Sequence, residues 1–188
     1  MKKILFLLVV FFFGTNSGHA QNTKTIEQQK PKIVVGMMVD QMRWDYLYKY
    51  RNRYGEGGFK RLIRDGFSCE NTMIKHAPTI TAIGHSSVWT GSVPAIHGIA
   101  GNDWYDREWG KSISNVEDST STAVGTSSKF SKSPNNLLVT TIGDELRIAT
   151  NFQSKVVSVA IKDRAAILPG GHAANGAFWN ENNKFVTS

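Results

Sequence analysis

The sequence predicts an α/β fold with a mainly parallel sheet flanked by helices, and three features carry that expectation. Two are apolar runs, Lys32 to Asp40 (K-I-V-V-G-M-M-V-D) and Lys155 to Ile161 (K-V-V-S-V-A-I), which are nearly continuous rather than alternating. Strands read this way when helices cover both faces of a parallel sheet. The third is the set of helix-forming segments lying between the two runs.

Taken in order, the chain begins with Lys2 and Lys3 ahead of an uninterrupted apolar run from Ile4 to Phe13. At about ten residues the run is too short to cross a bilayer as a helix. It ends in Gly18-His19-Ala20, with small residues at the two positions that signal peptidase requires, and no Cys follows to accept a lipid. Residues 1–20 read as a secretory signal, with Gln21 as the mature start and residues 21–188 as one domain. The expected location is periplasmic or secreted, without a stable membrane anchor.

The full sequence carries 22 Lys and Arg against 15 Asp and Glu, a net charge of +7, and loss of Lys2 and Lys3 lowers it to +5. The basic residues Lys49, Arg51, Arg53, Lys60, Arg61 and Arg64 alternate with apolar ones, as on a solvated helix and its approach. They lack the aromatic interleaving of a nucleic-acid surface, so no nucleic-acid partner is expected. Cys69 is the only cysteine, which excludes a disulfide framework and a zinc finger.

Helices are expected over Phe59 to Arg64, closed by Gly66, and over Thr81 to Thr90, closed by Gly91. A longer one is expected over Pro134 to Thr150, with Ser133 as N-cap and an apolar stripe of Leu137, Leu138, Ile142, Leu146 and Ile148. The Ser/Thr-rich stretch from Asp118 to Ser133 has no periodicity and reads as a surface loop, of a length that also suits a lid. Both apolar runs end in charged residues, Asp40 and Lys162-Asp163-Arg164. In open α/β sheets that edge is where ligands bind, and the two strands are expected to lie parallel in one sheet.

Hydrolysis of a phosphate ester needs a nucleophile, a cation to activate it, and donors around the phosphoryl oxygens. Asp40 supplies a hard oxygen ligand for Zn²⁺. Thr81 places a hydroxyl at a helix start, where free N–H groups and the dipole favour a bound phosphate. Coordination to zinc favours its alkoxide. Alone, Asp40 is a turn cap and Thr81 an N-cap.

The ordered set Pro78-Thr79-Ile80-Thr81, Thr90-Gly91, Pro94, His97-Gly98-Ile99 and Gly101-Asn102 resembles the nucleophile region of the nucleotide pyrophosphatase/phosphodiesterase branch of the alkaline phosphatase superfamily. The spacing from the second Thr to the Asn is retained. The resemblance implies an alkaline phosphatase-like fold with Thr81 as nucleophile and Asn102 as an amide donor to a phosphoryl oxygen. It is narrower still to secreted alkaline phosphatases with a threonine nucleophile, in which a Lys-x-Arg pair follows a later strand, as Lys162 and Arg164 do here. Two residues apart on an extended segment, both cations point to one side and reach one phosphate. That pair favours a monoester's dianion over a diester's single charge.

The family's two-zinc site takes further ligands from an Asp-x-x-x-His, an Asp-His pair and another His. His76, His85, His97 and His172 have no Asp immediately before or four residues before them, and read as structural or exposed. The expectation is a part of a longer enzyme that hydrolyses phosphate monoesters of small molecules through a phosphothreonine. Alternatives are a phosphodiesterase or nucleotide pyrophosphatase, and a secreted non-catalytic anion-binding domain. Formylglycine sulfatase chemistry has no support, since Cys69 is followed by Glu-Asn-Thr.

Overall fold

The computed structural model describes residues 31–126 and 131–188, so the expected signal segment lies outside the described residues. The chain divides after Met37 into two units, and all helices and strands below belong to the second.

Helix α1 (Tyr46–Lys49) and a 3-10 turn (Arg51–Arg53) lead to α2 (Gly58–Asp65), which Gly66 ends as expected. Its Arg61 and Arg64 are exposed, and the half-buried Lys60 pairs with Glu56 one turn back at 2.8 Å. Helix α3 (Thr81–Thr90) has the expected bounds. Ile80 enters it extended, and Gly91 leaves it at φ +64°, where a β-carbon would be opposed. Helix α4 (Pro94–His97) follows, with Pro at its start and Gly98 at φ +81° behind it.

Strands β1 (Asp103–Asp106) and β2 (Lys111–Ser114) form an antiparallel hairpin, with Asp103 opposite Ser114. Helix α5 (Ile142–Ala149) precedes β3 (Val157–Ala160), α6 (Asp163–Gly170), β4 (Gly176–Glu181) and β5 (Lys184–Thr187). The sheet order is β3-β4-β5, with β3 parallel to β4 through α6 and β4 antiparallel to β5. Parallel pairing among the described residues is thus confined to β3 and β4.

The core joins one face of α3 to α6 and the sheet, through Ala82, Ile99, Val116, Leu137, Ala166, Ile167, Leu168, Trp179 and Val186. Each fully buried Leu or Ile among them contributes roughly 1.5–3 kcal/mol. Packing of α6 on α3 carries the N-terminal residues of α3 into a fixed relation with the sheet.

Several expectations fail. Lys32 to Asp40 forms no strand, and Ile33, Val34 and Val35 are exposed. An apolar run encodes a wish for burial, and it becomes a parallel strand only where neighbours and covering helices exist. Among the described residues β3 is likewise paired on one edge only, with Val157 and Val159 exposed.

The long helix shrinks to α5. Ser133 Oγ accepts from the Asn135 amide and Leu138 N–H donates to His97 O, which takes the chain off a helical path. The real start is Thr141-Ile142-Gly143-Asp144, where Thr141 and Asp144 cap each other's backbone N–H. Of the expected stripe only Leu137 is buried, while Leu138, Ile142, Leu146 and Ile148 face out.

Of the Asp118 to Ser133 stretch, residues 118–126 and 131–133 are described; they form loop, as expected, and are held at several points. Glu117 bridges Lys132, Val124 bridges Thr187, and Asp118 and Ser131 are buried.

Candidate active site

Asp40 stands in a turn ahead of α1. Gln41 next to it has φ +59°, a left-handed conformation costing a side-chain-bearing residue about 1–2 kcal/mol. The turn presents the exposed Asp40 carboxylate to the first residue of α3, and Thr81 Oγ1 donates to Asp40 Oδ2 at 3.0 Å.

The first N–H groups of a helix have no partner inside it. That of Ala82 donates to Asn102 Oδ1 at 3.1 Å. A backbone N–H can only donate, so the carbonyl end of the Asn102 amide must face α3. Its NH2 end is therefore presented away from Ala82. Asn102 lies one residue before β1, and the hairpin fixes its place. Asp40, Thr81 and Asn102 are thus brought together as the sequence predicts.

Three of the histidines make hydrogen bonds within the fold. Buried His85 donates from Nδ1 to Thr81 O at 2.8 Å, which ties the candidate nucleophile's own backbone. His97, fully buried, accepts from Ile99 N–H at Nδ1 and donates from Nε2 to Ser87 Oγ at 3.0 Å. Burial holds its imidazole below the usual histidine range, and nearby His76 adds to this. His172 donates to Leu137 O.

The cation pair is placed differently from expectation. Lys162 is extended and serves as the N-cap position of α6, but Arg164 is already helical, so alternation along a strand does not relate them. They still share a pocket, lined also by Lys132, Asp163, Trp179 and Glu181. An adjoining pocket joins Arg164 to Asp103, the residue after Asn102. Asp163 between them is taken by Lys132 at 2.5 Å, with Arg164 Nε at 3.7 Å. Burial works to raise the Asp163 carboxyl, but the Lys132 ammonium and the Arg164 amide outweigh it and hold it below the usual range. The sequence shows Asp163 only as the acid between two cations, and it gives no sign of Lys132 as its partner because the lysine lies in an aperiodic loop.

The donor set fits part of a zinc site. Asp40 and Thr81 are hard oxygen donors 3.0 Å apart, near the roughly 3.3 Å separation of two oxygens on one tetrahedral zinc. No group of three or more His, Cys, Asp or Glu gathers among the described residues. Catalytic zinc ordinarily takes about three protein ligands.

Comparison with known proteins gives this geometry a context. Alkaline phosphatase PhoV of Synechococcus elongatus is 62% identical over 162 residues, covering 85% of this chain and 30% of PhoV. Alkaline phosphatase PafA of Elizabethkingia meningoseptica is 57% identical over 176 residues, covering 92% of this chain and 32% of PafA. The chain therefore spans about a third of the length of these relatives. A crystal structure of a PafA variant, with a Thr replaced by Ser and an Asn, a Lys and an Arg replaced by Ala, matches with a TM-score of 0.77. It is 56% identical, over 79% of this chain and 29% of that one. The described part of the chain has the α/β fold of that alkaline phosphatase, with sheets flanked by helices. The family described as type I phosphodiesterase / nucleotide pyrophosphatase matches residues 34–188, and the chain belongs to that family.

Proposed function

We propose that this chain is the nucleophile-bearing part of a longer phosphomonoesterase of the alkaline phosphatase type, exported from the cytoplasm and acting on phosphate esters of small molecules. The observation that carries the reading is the contact of Thr81 Oγ1 with Asp40 Oδ2 at 3.0 Å, beside an Asn102 amide whose NH2 end is free to face a ligand. Replacement of a Thr, an Asn, a Lys and an Arg in the PafA variant supports the choice of residue types, which occur in that order here as Thr81, Asn102, Lys162 and Arg164. Export rests on residues 2–20 alone.

Asp40 and Thr81 would hold a zinc ion, with further ligands supplied outside this chain's described residues. When bound, the ion lowers the pKa of the threonine hydroxyl. Thr81 Oγ, its proton lost to solvent, attacks phosphorus as the ester oxygen leaves and takes up a proton to become the free alcohol, and the phosphoryl group is carried on Thr81. Water attacks that phosphorus next, the Oγ–P bond breaks, and inorganic phosphate leaves with Thr81 restored. Throughout, the Asn102 NH2 donates to a phosphoryl oxygen, and the positive end of the ten-residue helix α3 favours the anion. Lys162 and Arg164 add charge where a monoester carries its second negative oxygen.

A phosphodiesterase reading is favoured by the family description. It is separated by substrate preference, treated in the Discussion. The nucleophile assignment is tested in the full-length protein by turnover and metal content together. Thr81→Ala should lose nearly all monoester turnover with zinc content largely kept, and Asp40→Asn should lower zinc content. Wild-type kcat in Thr81→Ala with loss in Thr79→Ala would move the nucleophile to Thr79.

A further inference from the structure

Asn115 follows β2 and is fully buried, yet it belongs to no motif and its hydrogen bonds go to neither Thr81 nor Asp40. Its side-chain Nδ2 donates to two consecutive carbonyls, Asn102 O at 2.5 Å and Gly101 O at 3.4 Å. Its backbone N–H donates to Asn102 O as well, at 3.1 Å. Two carbonyl oxygens can only accept, so the amide cannot be turned the other way round. Its Oδ1 is buried without a partner, so the residue is held there for its donors.

The two carbonyls belong to the peptide planes on either side of the Asn102 α-carbon. The plane through Gly101 O sets φ of Asn102, and the plane through Asn102 O sets ψ. One side chain thus fixes both backbone angles, and with them the direction of the Asn102 α-carbon to β-carbon bond. Asn136 holds Asn115 in turn, its Nδ2 donating to Asn115 O at 3.1 Å. The base of the β1/β2 hairpin is continuous with this arrangement, because the Asp103 to Ser114 pair is the next one along.

We propose that Asn115 is a positioning residue for catalysis, acting through Asn102 by fixing the direction in which the Asn102 NH2 meets a phosphoryl oxygen. The inference rests on the reading of Asn102 as a substrate contact given above. Asn115→Asp keeps the shape and replaces the donor by an acceptor, and Asn115→Ala serves where a buried carboxylate prevents folding.

The test is a double-mutant cycle in the full-length protein, reading kcat/KM for an aryl phosphate monoester, with inhibition by inorganic phosphate as a second readout. Asn115→Ala or Asn115→Asp should lower kcat/KM and weaken phosphate inhibition by about tenfold, the scale of one misaligned hydrogen bond. In an Asn102→Ala background the same change should cost no further activity, because the group being aimed is gone. Equal fold losses in both backgrounds would show a general structural role and overturn the proposal while leaving Asn102 as a substrate contact. No loss at Asn115 in either background would overturn it too. If Asn102→Ala itself keeps full kcat/KM, the assigned role of Asn102 falls and the proposal falls with it.

Discussion

Asn102 Oδ1 accepts a hydrogen bond from the Ala82 amide, 3.1 Å away at the second position of α3. One side chain thereby closes a helix end with its oxygen and turns its nitrogen away from the helix, where the proposed function puts a phosphoryl oxygen, and substitution can separate the two duties. Asn102→Asp keeps an acceptor for Ala82 and suits the positive end of the helix, so unfolding stability should be preserved. Asn102→Ala should lose about 1 kcal/mol, the usual worth of such a cap. Activity should order the other way, with the carboxylate worse than alanine because it repels a phosphate. Urea unfolding and kcat/KM on the same proteins check both orders.

His97 predicts a pH dependence of stability. It is buried and neutral, and burial with His76 nearby holds its pKa below that of a free histidine. The unfolded chain therefore binds a proton at about pH 6.5 where the native state does not. The contribution is fully present above that pH and is lost as pH falls towards the folded pKa. Unfolding stability should decline with a slope of at most about 1.4 kcal/mol per pH unit on acidification below 6.5, and His97→Gln should flatten that decline. Chemical unfolding at a series of pH values measures it.

How much of this was legible in the sequence depends on whether a signal was local. The bounds of α3 are written in the chain around Thr81 and Gly91, and the alignment of Thr81 with Asn102 follows from an ordered motif. Asp40 is legible as the acidic end of an apolar run although no strand forms there, because its contact with Thr81 depends on the end of the segment and not on its pairing. No helix starts at Pro134 because Ser133 and Pro134 only mimic a start, while Thr141 and Asp144 make the real one as a capping box. Asn115 and the Lys132 to Asp163 pair had no local signal at all. Their importance comes from carbonyls and charges distant in sequence, which only the fold brings near.

On the proposed function, the Lys162 and Arg164 pair is the feature that would separate monoesterase from diesterase chemistry. A charge-assisted contact to a phosphoryl oxygen is worth about 1.5–3 kcal/mol. Lys162→Ala with Arg164→Ala should therefore lower monoester kcat/KM by on the order of a hundredfold or more. The corresponding methyl diester, with one phosphoryl oxygen esterified, should lose less. Equal losses on both substrates would favour the phosphodiesterase reading.

The most direct measurement is acid-quenched turnover of an aryl phosphate by the full-length protein, followed by peptide mass spectrometry. Phosphothreonine survives acid, so the covalent intermediate is retained in the digest. A phosphate on Thr81, absent from Thr81→Ala, is the predicted result. Phosphate on Thr79 instead, or undiminished turnover with no phosphorylated peptide, would contradict the account.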